Sequence, residues 1–339
     1  MVALPVSSDP TPTAGDGSPL VWVLHDGKAG MASQSLGLAE ALGFPFIEKI
    51  LTIHRPWAWL PPQLWTAPLA AVSDAGRTLR PPWPDVVIAC GRNTAAPALA
   101  IRRLSGGRTV AAQVQDPRVG RREFDLMVVP EHDRLRGANV ITTKGALNRV
   151  TAEKLAAESR RFPELAALPR PVLGVLIGGS NRAYSLTVPR LAEIADMIAA
   201  CLEQSGGSAV LTPSRRTGAA GIALLRQRLA GLPVSIWDMT GDNPYYAYLA
   251  AGDAFLVTAD SVSMISEAAA TGKPVHIVEL AGGDRKFDRF HEAMREAGIT
   301  RPFHGRLESW NYTPPDDTAN AGAALRALVL ERMRARRAA

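Results

Sequence analysis

The chain has 339 residues, a length that suits two domains of about 150 residues each better than one core. Hydrophobic residues make up 47% and charged residues 21%, as in an ordinary soluble globular protein, and the net charge of +6 suits an anionic ligand, a nucleic acid or a membrane surface without choosing among them. The basic residues are spread and form no aromatic-basic array, which argues against a nucleic-acid partner, and no apolar run approaches ~18 residues, so no membrane-spanning helix is expected.

The start, MVALPVSSDPTPTAGDGSPL, has neither a charged first segment nor a long apolar core, and its Pro, Ser, Gly and Thr content reads as a disordered leader over residues 1–18, not a secretory signal. LVWVLHD (20–26) reads as a strand and SQSLGLAEALG (33–43) as a helix ended by Gly43, with Ser33 as its N-cap. FIEKILT (46–52) is a second strand. A Pro/Trp-rich segment follows, then a helix near 66–78, the strand PDVVIAC (84–90), the helix NTAAPALAIRRLSG and the strands RTVAAQVQ, FDLMVVP (124–130) and NVITTKG (139–145). The pattern restarts after a charged helix (151–168) and LPRP. PVLGVLIGG (171–179) is a strand and VPRLAEIADMIAACLEQ a helix capped by Thr187. SAVLTP, GIALLRQRLAG, VSIWDM, NPYYAYLAAG, DAFLVT, the segment ADSVSMISEAAATGK and VHIVEL continue the strand–helix alternation.

Two such alternations with near-continuous apolar strands predict an α/β protein with two Rossmann-like parallel sheets covered by helices. The expected division is 19–168 and 169–320, with a C-terminal helix at 321–339 that packs back on the first domain. Cys90 and Cys201 lie in apolar runs without a CxxC or Cys/His pattern. They read as buried free thiols of a reducing cytoplasm, and no metal site is expected.

In parallel sheets ligands bind outside the carboxyl ends of the strands. Those ends are HDGKAGMASQS (His25–Ser35), GRNTA (Gly91–Ala95), DPR (Asp116–Arg118), SNRAYSLT, SRRTG and ADSVSMISE. Glycine lets a backbone approach a ligand, a helix N-terminus offers unpaired N–H groups, and Arg215 and Arg216 add fork-shaped donors suited to phosphate. Any one of these turns is unremarkable; the six-fold repetition points to a ligand. Neither GxGxxG with a distal acid nor GxxxxGK[ST] is present, which disfavours a dinucleotide or Walker-type site.

With HDGKAGMASQSLGLAEAL, CGRNTAAPALAIRR, QVQDPR, KGALNRV, LIGGSNRAYSL, TPSRRTG and TADSVSMISEAAATGKPV in this order, the chain resembles the mitochondrial fission ELM family across residues 20 to 291. More distantly it is similar to the GT-B glycosyltransferases, in particular the lipid-linked peptidoglycan transferase that uses UDP-GlcNAc. The parallels are the glycine turns at Asp26–Gly30 and Gly91, the Asn148–Val150 exit from the first half, Gly178–Ser180, and the serine-rich strand end leading to a helix with Glu267.

The resemblance implies two domains facing a central cleft and a UDP-type nucleotide-diphosphate sugar as substrate, with no cofactor and no metal. It implies that Glu267 binds the ribose hydroxyls and that Ser261, Val262, Ser263 and Met264 lie near the diphosphate. Gly27, Lys28, Gly30, Gly179, Ser180, Arg182, Ser214 and Arg215 complete the nucleotide side, and Gly91, Asn93 and Thr94 the acceptor side. The bland alternative for Glu267 is a solvated first-turn carboxylate. The chain departs from the transferase in carrying Lys28-Ala29-Gly30 in place of a glycine-histidine element, so binding carries over better than catalysis.

Transfer needs a general base and support for the departing diphosphate. His25, Asp26 and Asp116 are the base candidates. Their bland alternatives are a hydrogen-bonded histidine, an Asx-turn and a turn start. Lys28, Arg182, Arg215 and, on charge alone, Lys286 would support the leaving group.

Trp57, Trp59 and Trp65 lie beside Pro56, Pro61 and Pro62, with Lys49, His54 and Arg55 before them and Arg77 after. Tryptophan with basic residues suits a membrane interface and a lipid or membrane-surface acceptor; a packed loop is the alternative. The expected location is cytoplasmic, peripheral on the inner face of the plasma membrane. Three readings stay open: a glycosyltransferase, a non-catalytic adaptor with a protein partner, as the plant relatives are recruiting factors in fission, and a nucleotide-sugar epimerase.

Overall fold

Apolar runs too short for helices and buried on both faces form the central strands of two parallel sheets, with less buried strands at the edges. The structure, a computed structural model, describes residues 18–55, 57–73 and 79–338. The leader expected over 1–18 falls almost wholly outside them, as do Pro56 and Arg77.

By contacts the chain divides into two units. One comprises Met1–Val129, Leu135–Thr142 and Thr318–Ala339; the other comprises Pro130–Arg134 and Thr143–Asp317.

In the first unit, β1 (Val21–His25), β2 (Phe46–Ile50), β3 (Val86–Cys90), β4 (Val110–Val114), β5 (Leu126–Pro130) and β6 (Val140–Thr143) lie in the order β2-β1-β3-β4-β5-β6. Val21 pairs with both Phe46 and Val86, in parallel. The chain moves to one side of β1 to make β2 and to the other to make β3, so the strand order reverses between β1 and β3. Trp22, Leu24, Val87, Ile101 and Met127 anchor the core.

Helix α1 (Ala29–Leu42) ends at Gly43, whose φ of 74° is the left-handed conformation that glycine adopts without strain. It begins before Ser33, which therefore lies inside the helix and is not its N-cap. Helix α2 (Arg92–Leu104) follows β3. The helix expected near 66–78 is a correction: residues 66–73 form turns and bends, and 74–78 lie outside the described residues. Pro68 and the clip of His54 to the Ala70 carbonyl at 2.6 Å hold that segment as a loop. The final helix, Asp317–Ala338, runs against α1: a Cβ on Gly322 would stand 2.5 Å from Ala41 Cβ, and Arg326 donates to the Leu42 carbonyl at 2.8 Å.

The second unit repeats the plan. Helix α3 (Ala152–Arg161) stops before Phe162-Pro163, and a short 3-10 segment, Pro163–Ala167, follows, so the single helix expected over 151–168 is two pieces. Then come β7 (Val172–Ile177), β8 (Tyr184–Ser185), α4 (Val188–Ser205), β9 (Ser208–Pro213), α5 (Gly218–Arg228), β10 (Val234–Ile236), α6 (Tyr245–Ala251), β11 (Ala254–Thr258), α7 (Val262–Ala269), β12 (Val275–Val278), β13 (Ala281–Gly282), α8 (Arg285–Glu296) and β14 (Thr300–Pro302). The main sheet has the order β10-β9-β7-β11-β12-β14, and every pairing in it is parallel. The order reverses between β7 and β11. Thr187 caps α4 as expected, its hydroxyl accepting the Arg190 N–H at 3.3 Å.

Candidate functional site

At the reversal in the second unit, β7 leaves the sheet as Gly178-Gly179-Ser180 and β11 leaves as Thr258-Ala259-Asp260-Ser261. The Thr258 hydroxyl accepts the Gly178 N–H at 2.8 Å and donates to Asp260 Oδ1 at 2.7 Å. Asp260 Oδ2 accepts the Gly179 N–H at 3.0 Å and pairs with the Arg216 guanidinium at 2.6 Å. The Asp260 side chain is fully buried, and these partners compensate its charge. A Cβ on Gly178 would stand 2.3 Å from Asp260 Oδ2, so the carboxylate enters only because the turn is glycine.

An internal anion therefore holds the Gly179 donor expected to face a diphosphate. Asp260 was not assigned to the site from the sequence, although an acid inside the polar tip was visible there, and Arg216, read as a phosphate donor, is turned onto this internal carboxylate instead.

Around this centre, Ser214 Oγ and Thr217 Oγ1 donate to the Gly178 carbonyl at 2.5 and 2.7 Å. Ser180 Oγ accepts the Leu186 N–H at 2.9 Å, and Asn181 Oδ1 accepts from Ala183 and Tyr184 N–H at 2.8 and 2.9 Å. Arg182 and Arg215 are exposed. Lys286 pairs with Asp133 at 2.6 Å, which accounts for its charge.

Helix α7 begins at the same tip. Ser261 Oγ accepts the Met264 N–H at 3.4 Å, which leaves the Val262 and Ser263 N–H groups as the first-turn donors without an intrahelical acceptor, at the positive end of the helix dipole. Glu267 lies further along α7 and is 6% exposed, so it is not a solvated first-turn carboxylate. Its Oε2 accepts the Tyr245 hydroxyl at 2.5 Å. Burial, followed by the charge and hydrogen bond of Glu267, pushes the Tyr245 phenol well above its usual range.

In the first unit the reversal brings together the ends of β1 and β3. His25 is buried; its Nε2 meets Glu48 Oε1 at 2.7 Å and its Nδ1 accepts the Gly27 N–H at 3.1 Å, so both ring nitrogens are committed. Asp26 accepts the Lys28 N–H at 3.3 Å in an Asx-turn and pairs with the exposed Lys28 ammonium. Gly30 lies in the first turn of α1, its carbonyl accepting Gln34 Nε2 at 2.9 Å. Gly91, at φ 82°, lies under Met31, whose sulfur would be 3.2 Å from a Cβ there. Thr94 turns inward to donate to the Cys90 carbonyl at 2.8 Å, while Asn93 is half-buried in the first turn of α2.

Asp116, one strand further along, accepts the Arg118 N–H at 2.9 Å and Arg121 at 2.8 and 2.5 Å. Burial alone would raise its pKa, but the Arg121 and Arg118 bonds outweigh it and hold the carboxyl below its ordinary range, a poor setting for a base. All three candidates are tied to exposed partners: His25 to Glu48, Asp26 to Lys28 and Asp116 to Arg121.

The glutamines Gln34, Gln113 and Gln115 are a further finding. Gln113 donates to the Gly91 carbonyl at 3.0 Å and Gln115 to Gln34 at 3.1 Å, with Gln115 in the left-handed region at φ 68°. Among the described residues, no group of three or more His, Cys, Asp or Glu is placed to hold a metal, and no helix is long and apolar enough to cross a membrane. Trp65 is buried beside Ala71 and Ala96, whereas Trp59 is 71% exposed.

Two α/β units, each a parallel sheet with polar turns at the point of strand-order reversal, have the GT-B fold. Solved structures with this fold include a UDP-GlcNAc 2-epimerase from Methanocaldococcus jannaschii (TM-score 0.57, 12% identity, 92% of this chain and 99% of that one). Others are the Neisseria meningitidis epimerase bound to UDP-GlcNAc (0.56, 13%, 92% and 99%) and a UDP-glucosyltransferase from Polygonum tinctorium (0.51, 14%, 94% and 94%). The chain belongs to the family described as Mitochondrial fission ELM1, whose profile matches residues 29–329. It is 36% identical over 291 residues to the mitochondrial fission protein ELM1 of Arabidopsis thaliana, a match covering 75% of this chain and 66% of that protein. It is 24% identical over 346 residues to an uncharacterised protein of Rickettsia prowazekii, covering 87% of this chain and 94% of the other.

Proposed function

We propose that the chain binds a nucleotide-diphosphate sugar of the uridine type, with the diphosphate at the start of α7. The observation that carries this reading is the open first turn at Val262 and Ser263, set where the strand order of the second sheet reverses, with the exposed Arg182 and Arg215 on neighbouring turns. The Neisseria neighbour's bound UDP-GlcNAc supports the choice of ligand class. Glu267, on the same helix, is the ribose-reading carboxylate, and Tyr245 fixes its orientation. For transfer chemistry, the first unit offers Asp26 as proton acceptor.

A second reading, a binding protein without chemistry, draws on the Gly179 donor and the Glu267 carboxylate, both already satisfied from within the chain. Calorimetric titration with UDP, GDP, ADP and dTDP, of wild type and Glu267→Gln, separates the two. The first reading expects selective UDP binding that weakens by about tenfold or more in the variant. A folded protein that binds none of the four would leave the second.

A further inference from the structure

Among the described residues, the exposed large apolar side chains are concentrated in one stretch of sequence. Of the six large hydrophobic residues exposed among the described residues, Ile50, Trp59, Leu60 and Leu64 fall within one short stretch of sequence. The last three stand on two successive 3-10 turns, Trp57–Trp59 and Pro62–Leu64, and their connection. Trp65 holds this connection from below: it packs into a cluster with Ala71 and Ala96 and donates from Nε1 to the Leu60 carbonyl at 3.2 Å. With that anchor buried, Trp59 at 71% and Leu64 at 59% exposure point to solvent. Isolated exposed apolar residues need no explanation, but a cluster on anchored turns does.

Basic side chains outnumber acids around these turns. From Lys49 to Ser73 the sequence contains no Asp or Glu. The Arg55 guanidinium lies 5.0 Å from the centre of the Trp59 ring. Gln63 donates to the Arg118 carbonyl at 3.1 Å, which brings the exposed Arg118 and its neighbours Arg121 and Arg122 beside the second turn. The acids there are spent: Asp116 on Arg121, and Glu123 on Arg103. His54 meets two carbonyls, those of Arg55 at 2.8 Å and Ala70 at 2.6 Å, and these acceptors raise its pKa above the ordinary imidazole value.

We infer that the Trp59–Leu64 turns dock the first unit onto an anionic lipid surface, with the indole and leucines at the headgroup–acyl boundary and Arg55, Arg118 and Arg122 on lipid phosphates. A bilayer asks for apolar side chains flanked by cations, and an indole suits its boundary because one edge is apolar and the other donates a hydrogen bond. A single-stranded nucleic acid would stack on Trp59, and Arg55 already lies over one face of that ring. The inference does not depend on nucleotide binding.

The test is co-sedimentation of the full chain with vesicles of phosphatidylcholine alone or mixed with phosphatidylglycerol, at low and physiological salt. The chain is expected to partition onto the mixed vesicles and to leave them as salt rises. Trp59→Ala with Leu64→Ser should lower partition by about tenfold or more. Arg118→Glu with Arg122→Glu should lower it by a similar factor, since each cation near an anionic leaflet is worth roughly fivefold. All four positions are exposed, and unchanged melting temperatures would show the variants folded. No partition of the wild type onto mixed vesicles, or partition indifferent to the Trp59 and Leu64 changes, would overturn the inference. Tight binding to single-stranded RNA that survives Trp59→Ala, without vesicle binding, would overturn it as well.

Discussion

The carboxylate of Asp260 and the N–H of Gly179, distant in sequence, meet at 3.0 Å where the strand order of the second sheet reverses. With Thr258 and Arg216 they form the structural centre of the candidate site. Asp260→Ala would leave buried donors unpaired and is expected to destabilise the second unit by about 2–4 kcal/mol. Gly178→Ala drives a methyl group into the same carboxylate and should cost about 1–3 kcal/mol. Urea denaturation of each variant measures both; a Gly178→Ala midpoint equal to wild type would refute the close approach.

Three buried histidines make the second unit acid-sensitive. Burial is the largest cause of the lowered pKa of His132, His276 and His291, and His132 reaches about 4 despite the opposing charge of Asp133. Each takes up a proton more readily unfolded than folded. Their stabilising contribution is therefore complete above the unfolded pKa of about 6.5 and is lost as pH falls through the folded values. For His132 the loss between about pH 6.5 and 4 is on the order of 3 kcal/mol. Melting temperature against pH should fall across this window and fall less steeply in His132→Gln; parallel slopes would count against the assignment.

Tyr245→Phe removes the hydroxyl from a carboxylate that has little access to water. A loss of about 1–3 kcal/mol is expected, together with weaker UDP binding as Glu267 loses its fixed orientation. Thermal unfolding and titration of the same sample test both halves, and an unchanged melting temperature would show that the bond contributes nothing.

Lys273 closes helix α6 from outside the helix. Its ammonium donates to the Ala250 carbonyl at 2.9 Å and to the Gly252 carbonyl, satisfying acceptors that a helix end leaves unpaired. Lys273→Met keeps the stem and removes these donors, with an expected cost of about 1–2 kcal/mol. Hydrogen exchange at Leu249–Ala251 should rise in the variant. Exchange as slow as in wild type would speak against the cap.

The strands were legible because a strand buried on both faces needs an unbroken apolar run, as in VWVLH and VLGVLI. Helix α8 was less so: RKFDRFHEAMRE is mostly charged and buries chiefly Phe290, His291 and Met294, held in place by the Asp284 cap. Phe162-Pro163 marked the break in the 151–168 helix, but the charge pattern on both sides masked it. In the site, polar strand tips were visible as types of residue. What pairs with what was not, because Gly178-Gly179 and Asp260 come together only through the reversal of strand order. Residue type therefore favoured Arg215 and Arg216 as phosphate donors, and the resemblance favoured Gly179, where the fold sets both Arg216 and Gly179 on the Asp260 carboxylate.

The measurement closest to the functional reading is the amide spectrum of the nitrogen-15-labelled chain during addition of UDP. Saturable shifts at the Val262 and Ser263 amides, larger with UDP than with uridine, are expected because the diphosphate accepts from those N–H groups. Saturable binding that leaves both amides in place, or a spectrum that UDP does not change, would show that the start of α7 is not a diphosphate site.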